Sequence, residues 1–252
     1  TIPLKSINQV VHLAARVHVM NDQSADPLEE FRKVNVDATI HLAKQAAAAG
    51  VKRFIYLSSV KVNGESTELR LPFTADDTPR PQDPYGVSKY EAERELRTIA
   101  EQTGMEVVII RPPLVYGPGV KANFASMLQI IQRGVPLPLA SVTDNRRSLV
   151  ALDNLVDLIV TCITHPAAAN QIFLLSDGED VSTPELLQKV AAAYAVTPRL
   201  IPIPHAWLHL AIEQLVSHRL ASRLLGSLVI DSTKAKEMLG WQPVLSMDEQ
   251  LR

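Results

Sequence analysis

The 252-residue sequence predicts an α/β fold on a parallel sheet, with a smaller, mostly helical second domain. Three features carry that reading. Short apolar runs alternate with long stretches of helical periodicity, glycines stand where those helices should stop, and beyond Arg111 the texture changes to a proline- and glycine-bearing loop with short elements. Strands of a parallel sheet are buried on both faces, so they read as continuous apolar runs rather than as alternation.

The elements follow in order. The first run holds Val10, Val11, Leu13, Ala14 and Ala15, with His12 inside it as a core histidine. Asp26-Pro27 opens a long helix whose apolar positions Phe31, Val34, Ala38, Leu42 and Ala46 fall at helical spacing, and Gly50 stops it. Phe54-Ile55-Tyr56-Leu57 is the second strand and ends in Ser58-Ser59; a helix from about Tyr85 to Thr103 precedes Gly104, and Val107-Val108-Ile109-Ile110 is the third strand. Such strand-helix alternation implies parallel pairing with right-handed crossovers. After the loop 112–119, strand-like runs surround Leu149-Val150 and cover Ile172-Phe173-Leu174-Leu175, with a helix from Asp153 to Thr164 between them. We assign residues 1–118 and 149–176 to the first domain, and 119–148 and 177–252 to the second.

Composition excludes several classes. Twenty-seven acidic against 25 basic residues leave a charge of −2, without the clustered positive charge that phosphate backbones require. With 46% apolar and 21% charged residues, the chain has the composition of a globular protein rather than a disordered one. Cys162 is the single cysteine, so neither an internal disulfide nor a Cys-rich metal site can form, and the cytoplasm is the expected compartment. No apolar run reaches the roughly 20 residues of a membrane span.

The most informative segment is Pro84-Tyr85-Gly86-Val87-Ser88-Lys89. Residues four apart on a helix share a face, so the Tyr85 phenol and the Lys89 ammonium can address one ligand. A free phenol titrates near pH ~10, and a nearby ammonium is expected to bring it toward neutrality. Alone, the spacing is common on solvated helix surfaces. Here it follows Ser59 at one strand end, Ala14 and Ala15 at another, and precedes the segment 111–118 at a third.

On these residues the chain resembles the extended short-chain dehydrogenase/reductase family, in its nucleotide-sugar epimerase, dehydratase and ketoreductase branch. The resemblance rests on His12-Leu13-Ala14-Ala15, Asn35-Val36, Leu57-Ser58-Ser59, Tyr85 to Lys89 and Arg111 to Pro118. It continues through Arg146-Arg147-Ser148-Leu149-Val150, Asp231-Ser232-Thr233-Lys234 and Leu239-Gly240-Trp241-Gln242-Pro243. It implies a Rossmann-like doubly wound sheet and NAD or NADP as cofactor. It further implies a nucleotide-sugar substrate, a UDP-sugar above all, no nucleic-acid or membrane partner, and a homodimer. The roles it implies are Tyr85 as acid/base, Lys89 as the cation beside it and Ser59 on the sugar C4 oxygen. Leu13, Ala14, Ala15, Asn35, Ser58 and Pro112, with Tyr85 and Lys89, would meet the cofactor, Asn35 also bracing the site. Lys61, Asn123, Arg147 and Arg223, with Ser59, would meet the substrate, Arg147 as the diphosphate arginine.

Two departures shape the expectation. Dehydratases of the family carry Asp-Glu after the hydroxyl residue, where Val60 and Lys61 stand here, and its epimerases usually carry Tyr where Asn63 stands. The sequence reading therefore puts a 4-ketoreductase of a UDP-4-keto-6-deoxy-N-acetylhexosamine first and a UDP-hexose 4-epimerase with tightly held NAD second. A non-catalytic dinucleotide or sugar sensor is the rival of another class, against which intact Tyr85, Lys89 and Ser59 argue. In addition, the first glycine is Gly50, so no glycine-rich phosphate-binding turn is present and the sheet reads as N-terminally incomplete by about 60 residues. Weak NAD(P) binding is expected of such a chain, and the choice between NAD and NADP is unreadable.

The remaining features have plainer readings. His205 and His209 have metal-pair spacing but no third ligand, so no metal is expected. Cys162 reads as inert packing, the stripe Trp207, Leu208, Leu210, Ala211 and Leu215 as core or dimer seam, and Arg146-Arg147 as a phosphate contact in preference to a solvated pair.

Overall fold

The computed structural model describes residues 3–17, 26–67, 71–118, 129–203 and 225–252. Four parallel strands make the main sheet in the order β1 (Gln9–His12), β2 (Arg53–Leu57), β3 (Glu106–Arg111) and β6 (Ile172–Leu174). The helices on either face are α1 (Pro27–Arg32), α2 (Ala38–Ala48), α3 (Pro84–Thr103) and α4 (Leu152–Thr164). Alternation along the strands divides the core. Phe54, Tyr56, Val107 and Ile109 pack with Ala43, Ala46 and Leu96 of α2 and α3, whereas Ile55, Val108 and Ile110 pack with Leu155, Leu158 and Trp241. This is the Rossmann-like architecture expected.

A second sheet of three strands joins β4 (Leu114–Tyr116) in parallel to β5 (Arg147–Ala151), which pairs antiparallel with β7 (Asp180–Val181). Its core includes Tyr116, Leu149 and Val181 with Leu187 and Val190 of α5 (Thr183–Ala193); beyond α6 (Thr233–Leu239), Met247 of α7 (Met247–Leu251) joins it. β4 lies in what the sequence presented as an irregular loop, because Leu114-Val115-Tyr116 is too short to stand out between prolines and glycines. Among the described residues no helix is long and apolar enough to cross a membrane, and no three His, Cys, Asp or Glu cluster as metal ligands.

The helix predicted after Asp26 is interrupted. Asp26 caps α1 by accepting from the Glu29 amide, but Lys33–Asp37 forms a π-helical turn before α2 begins. The extra residue per turn moves the buried stripe to Phe31, Asn35, Thr39, Ala43 and Ala46, leaving Val34 and Ala38 exposed. Two polar residues in that stripe find partners inside. Thr39 Oγ1 lies 2.9 Å from His12 Nε2, the satisfied core histidine expected, and Asn35 reaches the loop after β1.

Candidate active site

Parallel pairing brings the carboxyl ends of β1, β2 and β3 to one edge, and the site is built there. Two backbone bonds join the strand exits: Ser58 N donates to Ile110 O at 2.7 Å, and Val60 N to Pro112 O at 3.0 Å. Helix α3 starts beside them. Asp83 caps it by accepting from Gly86 N at 2.7 Å, Pro84 supplies the first turn, and Tyr85 and Lys89 follow one turn apart.

The three groups on which the sequence reading depended meet in one pocket. The Ser59 hydroxyl stands close enough to the Tyr85 phenol to favour its ionised form, and Lys89 Nζ lies 5.9 Å from the Tyr85 ring centroid. The Lys89 ammonium is buried, donates to Leu57 O at 2.8 Å and sits 4.6 Å from the centroid of the Tyr56 ring. Phe31 of α1 meets the Tyr85 ring edge-on at 6.0 Å between centroids, and the Arg16 guanidinium lies over the Phe31 ring at 5.6 Å.

The electrostatics differ from the expectation. Burial pushes the Tyr85 phenol up to about 12, and Asp83 adds to the rise, while the Ser59 hydroxyl works against it. Lys89 was expected to pull the phenol toward neutrality; it is not among the groups that shift it, burial dominates, and Tyr85 holds its proton at neutral pH. Burial also lowers Lys89 to about 8, opposed by the Glu93 carboxylate, which leaves it about nine-tenths charged at pH 7.

The other predicted residues fall into distinct places. Leu13 and Ala14 are exposed and Ala15 half-buried at the end of β1. Asn35 is fully buried in the π turn. Its amide accepts from Arg16 N and donates to Arg16 O and to Ser88 Oγ, so it fixes the β1 exit against α3. Ser58 is buried and donates to Glu93 at 2.5 Å, and Pro112 is buried with its carbonyl on Val60. Lys61 pairs with Asp83 and, at 3.2 Å, with Glu65, tying the Ser59 turn to the α3 cap. Arg147 stands at the start of β5 in the second sheet, apart from this cluster. Asn123, Arg223, His205, His209 and the Trp207 stripe lie outside the described residues. Cys162 is buried in α4, its thiol raised to about 12 by desolvation, in keeping with inert packing.

Sequence reasoning missed a buried network behind the pocket. Arg111 Nε and Nη2 donate to the two oxygens of Glu93 at 3.0 and 2.6 Å, and Arg111 Nη1 to Asn63 Oδ1 at 3.0 Å. Asn63 in turn donates to Thr74 O at 2.8 Å. A signal existed: Glu93 lies one turn beyond Lys89, and a charged residue ends the apolar strand β3.

The closeness of α3 to the Ser59 turn leaves no unstrained space for a side chain at Gly86. A Cβ there would come 2.9 Å from the Lys61 carbonyl oxygen and 3.2 Å from Asp83 Oδ1. Gly86→Ala is expected to cost about 1–3 kcal/mol in thermal or urea unfolding. Because it pushes Tyr85 away from Ser59, it should also lower kcat about 10²-fold. A variant with wild-type melting and turnover would contradict the close approach.

Comparison with known proteins agrees with this geometry. The model of the NAD dependent epimerase/dehydratase family matches residues 2–176. A UDP-glucose 4-epimerase of Vibrio cholerae is 51% identical over 249 residues, covering 98% of this chain and 76% of the relative. The crystal structure of a UDP-glucuronic acid 4-epimerase from Bacillus cereus in complex with NAD superposes with a TM-score of 0.77 at 19% identity, covering 98% of this chain and 72% of that one. The structure of RMD from Pseudomonas aeruginosa complexed with NADPH gives 0.76 at 21% identity, with 97% and 79% covered. These two share the fold. A nicotinamide dinucleotide is the family's cofactor, and the donor set here fits its nicotinamide-ribose half. Lys89 has N–H groups beyond the one given to Leu57, with the Tyr85 hydroxyl in the same pocket and the small Ala14 and Ala15 along the edge. The pocket, the family model and the half-identical relative lead to one conclusion: the chain belongs to the NAD dependent epimerase/dehydratase family, as an enzyme of the nucleotide-sugar epimerase and reductase type.

Proposed function

We propose that the protein interconverts the C4 configuration of a UDP-hexose, with NAD as the resident cofactor. The observation that carries this is a pocket that brings Tyr85, Ser59 and the buried Lys89 ammonium together, in a chain 51% identical to a UDP-glucose 4-epimerase. The 4-ketoreductase reading put first from the sequence has less support. It rested on Lys61 and Asn63, and both are engaged in the framework, Lys61 with Asp83 and Glu65, Asn63 with Arg111 and Thr74. Their departure from epimerase practice therefore reports packing rather than substrate.

In this reading Ser59 polarises the C4 oxygen, and Tyr85, whose own proton must first pass to solvent, accepts the C4 proton as the sugar is oxidised and returns it on reduction. The bound nicotinamide supplies the hydride acceptor and donor. Lys89 holds positive charge opposite the phenol when its proton has left, in a dry pocket where that charge acts strongly. Ala14, Ala15 and Leu13 line the cofactor side, Asn35, Ser58 and Pro112 hold its walls, and Arg147 faces the diphosphate from the second sheet. The proposed division into a cofactor domain (1–118 and 149–176) and a sugar-nucleotide domain (119–148 and 177–252) places the pocket at the former's edge, and β4, β5 and β7 span the boundary.

The test is incubation of the purified product of the complete gene with UDP-glucose and no added nucleotide. UDP-galactose should form and the reverse reaction should run. Absence of interconversion, with turnover only of a 4-keto sugar nucleotide and added NAD(P)H, would restore the reductase.

A further inference from the structure

Lys89 and Glu93 stand at i and i+4 on α3, a spacing at which an ammonium and a carboxylate ordinarily pair across one turn. Here the carboxylate is held elsewhere. Glu93 Oε1 accepts from Ser58 Oγ at 2.5 Å and Arg111 Nε at 3.0 Å, and Oε2 accepts from Arg111 Nη2 at 2.6 Å. Both members of the Arg111–Glu93 pair are 1% exposed. Arg111 is anchored through Asn63 to the Thr74 carbonyl, so the carboxylate is fixed from the exit of β2, from β3 and from the loop before α3 together.

The groups that face Lys89 are Tyr56 on β2, His12 on β1, and Tyr85 and Glu93 on its own helix, with Arg111 of β3 behind Glu93. Of these Glu93 is the carboxylate. A direct ion pair would occupy the ammonium's donors and cancel the charge that a deprotonated Tyr85 needs opposite it. A buried ammonium with no anion nearby would lose its proton instead. A carboxylate clamped one helical turn away avoids both outcomes.

We propose that Glu93 is a positioning residue for the proton-transfer pair: held off Lys89 by Arg111 and Ser58, it keeps the neighbouring ammonium charged without neutralising it. This rests on the catalytic reading of Tyr85 and Lys89. Because Lys89 is lowered to about 8, its charged fraction responds steeply to the field of Glu93 near working pH. The structure thus assigns opposite consequences to two kinds of change. Removing the carboxylate should lower the titration midpoint of Lys89, whereas loosening the clamp should let Glu93 swing onto Lys89 and raise it.

The experiment is an NMR titration of the Lys89 side chain, assigned with Lys89→Arg, in wild type, in the double variant E93Q/R111M and in Arg111→Lys, beside the pH profile of kcat. The double variant removes both members of the pair and so leaves no lone buried charge. Its Lys89 midpoint should fall by about one pH unit, and kcat at pH 8 about fivefold with KM within about twofold. Arg111→Lys should shift the midpoint upward. A folded double variant with an unmoved midpoint overturns the proposal, as does an unmoved or lowered midpoint in Arg111→Lys; should the double variant fail to fold, Arg111→Lys decides. The titration needs no turnover. An inactive wild type would overturn the proposed epimerase function while the midpoints still decide the role of Glu93.

Discussion

Tyr85→Phe should lower kcat for UDP-hexose interconversion by about 10²–10⁴-fold, the range general acid–base catalysis contributes. The substitution removes one oxygen and keeps the ring that packs edge-on against Phe31. In the folded protein the substitution removes the hydroxyl beside Ser59, a loss of at most about 1 kcal/mol, and part of that is returned because a buried hydroxyl no longer needs a partner. Melting temperature and UDP-sugar affinity should therefore stay close to wild type. Steady-state kinetics beside a thermal melt separate the two effects. Turnover within threefold of wild type, or about that, would remove Tyr85 from the reaction and with it the enzymatic reading of the pocket.

Arg111→Met is expected to give the largest loss of stability, about 3–5 kcal/mol, because it strips the buried Glu93 carboxylate of its guanidinium partner, and turning onto Lys89 would disturb that ammonium's bond to Leu57 O. Asn63 loses its partner at the same time. The double variant E93Q/R111M should recover much of the loss, since no charge is then stranded; a coupling of about 1–3 kcal/mol between the two sites follows. Urea denaturation of the two single variants and the double variant gives the cycle directly. A loss of less than about 1 kcal/mol in Arg111→Met would mean that water or another cation reaches Glu93, and that the pair does not organise the interior.

Much of the architecture was legible from local pattern. Phe54 to Leu57 and Val107 to Ile110 are apolar without interruption because each alternate residue meets a helix layer, one on either face. Asp83, Pro84 and Gly104 mark both ends of α3, and the Tyr85–Lys89 spacing puts the phenol and the ammonium on one face. The π turn at Lys33–Asp37 was not legible, since nothing in the apolar periodicity there separates 3.6 from a wider turn. It is a polar residue, Asn35, that profits from it, by reaching Arg16 and Ser88. Lys61 and Asn63 carry less weight in the substrate reading than their departure from the family pattern gave them, because a sequence shows which residue departs but not which partner it meets.

The sequence by itself determined the parallel α/β sheet, the helix carrying Tyr85 and Lys89, and the strand end carrying Ser59, because those depend on periodicity and caps within some twenty residues of chain. The tertiary structure alone decided the charges. Glu93 meets Arg111 across 18 residues and Ser58 across 35, and Arg111 meets Asn63 across 48. The depth of burial that lifts Tyr85 and lowers Lys89 exists only once β1, β2 and α3 have closed on one another. Desolvation is a property of the assembled interior, and no local pattern carries it.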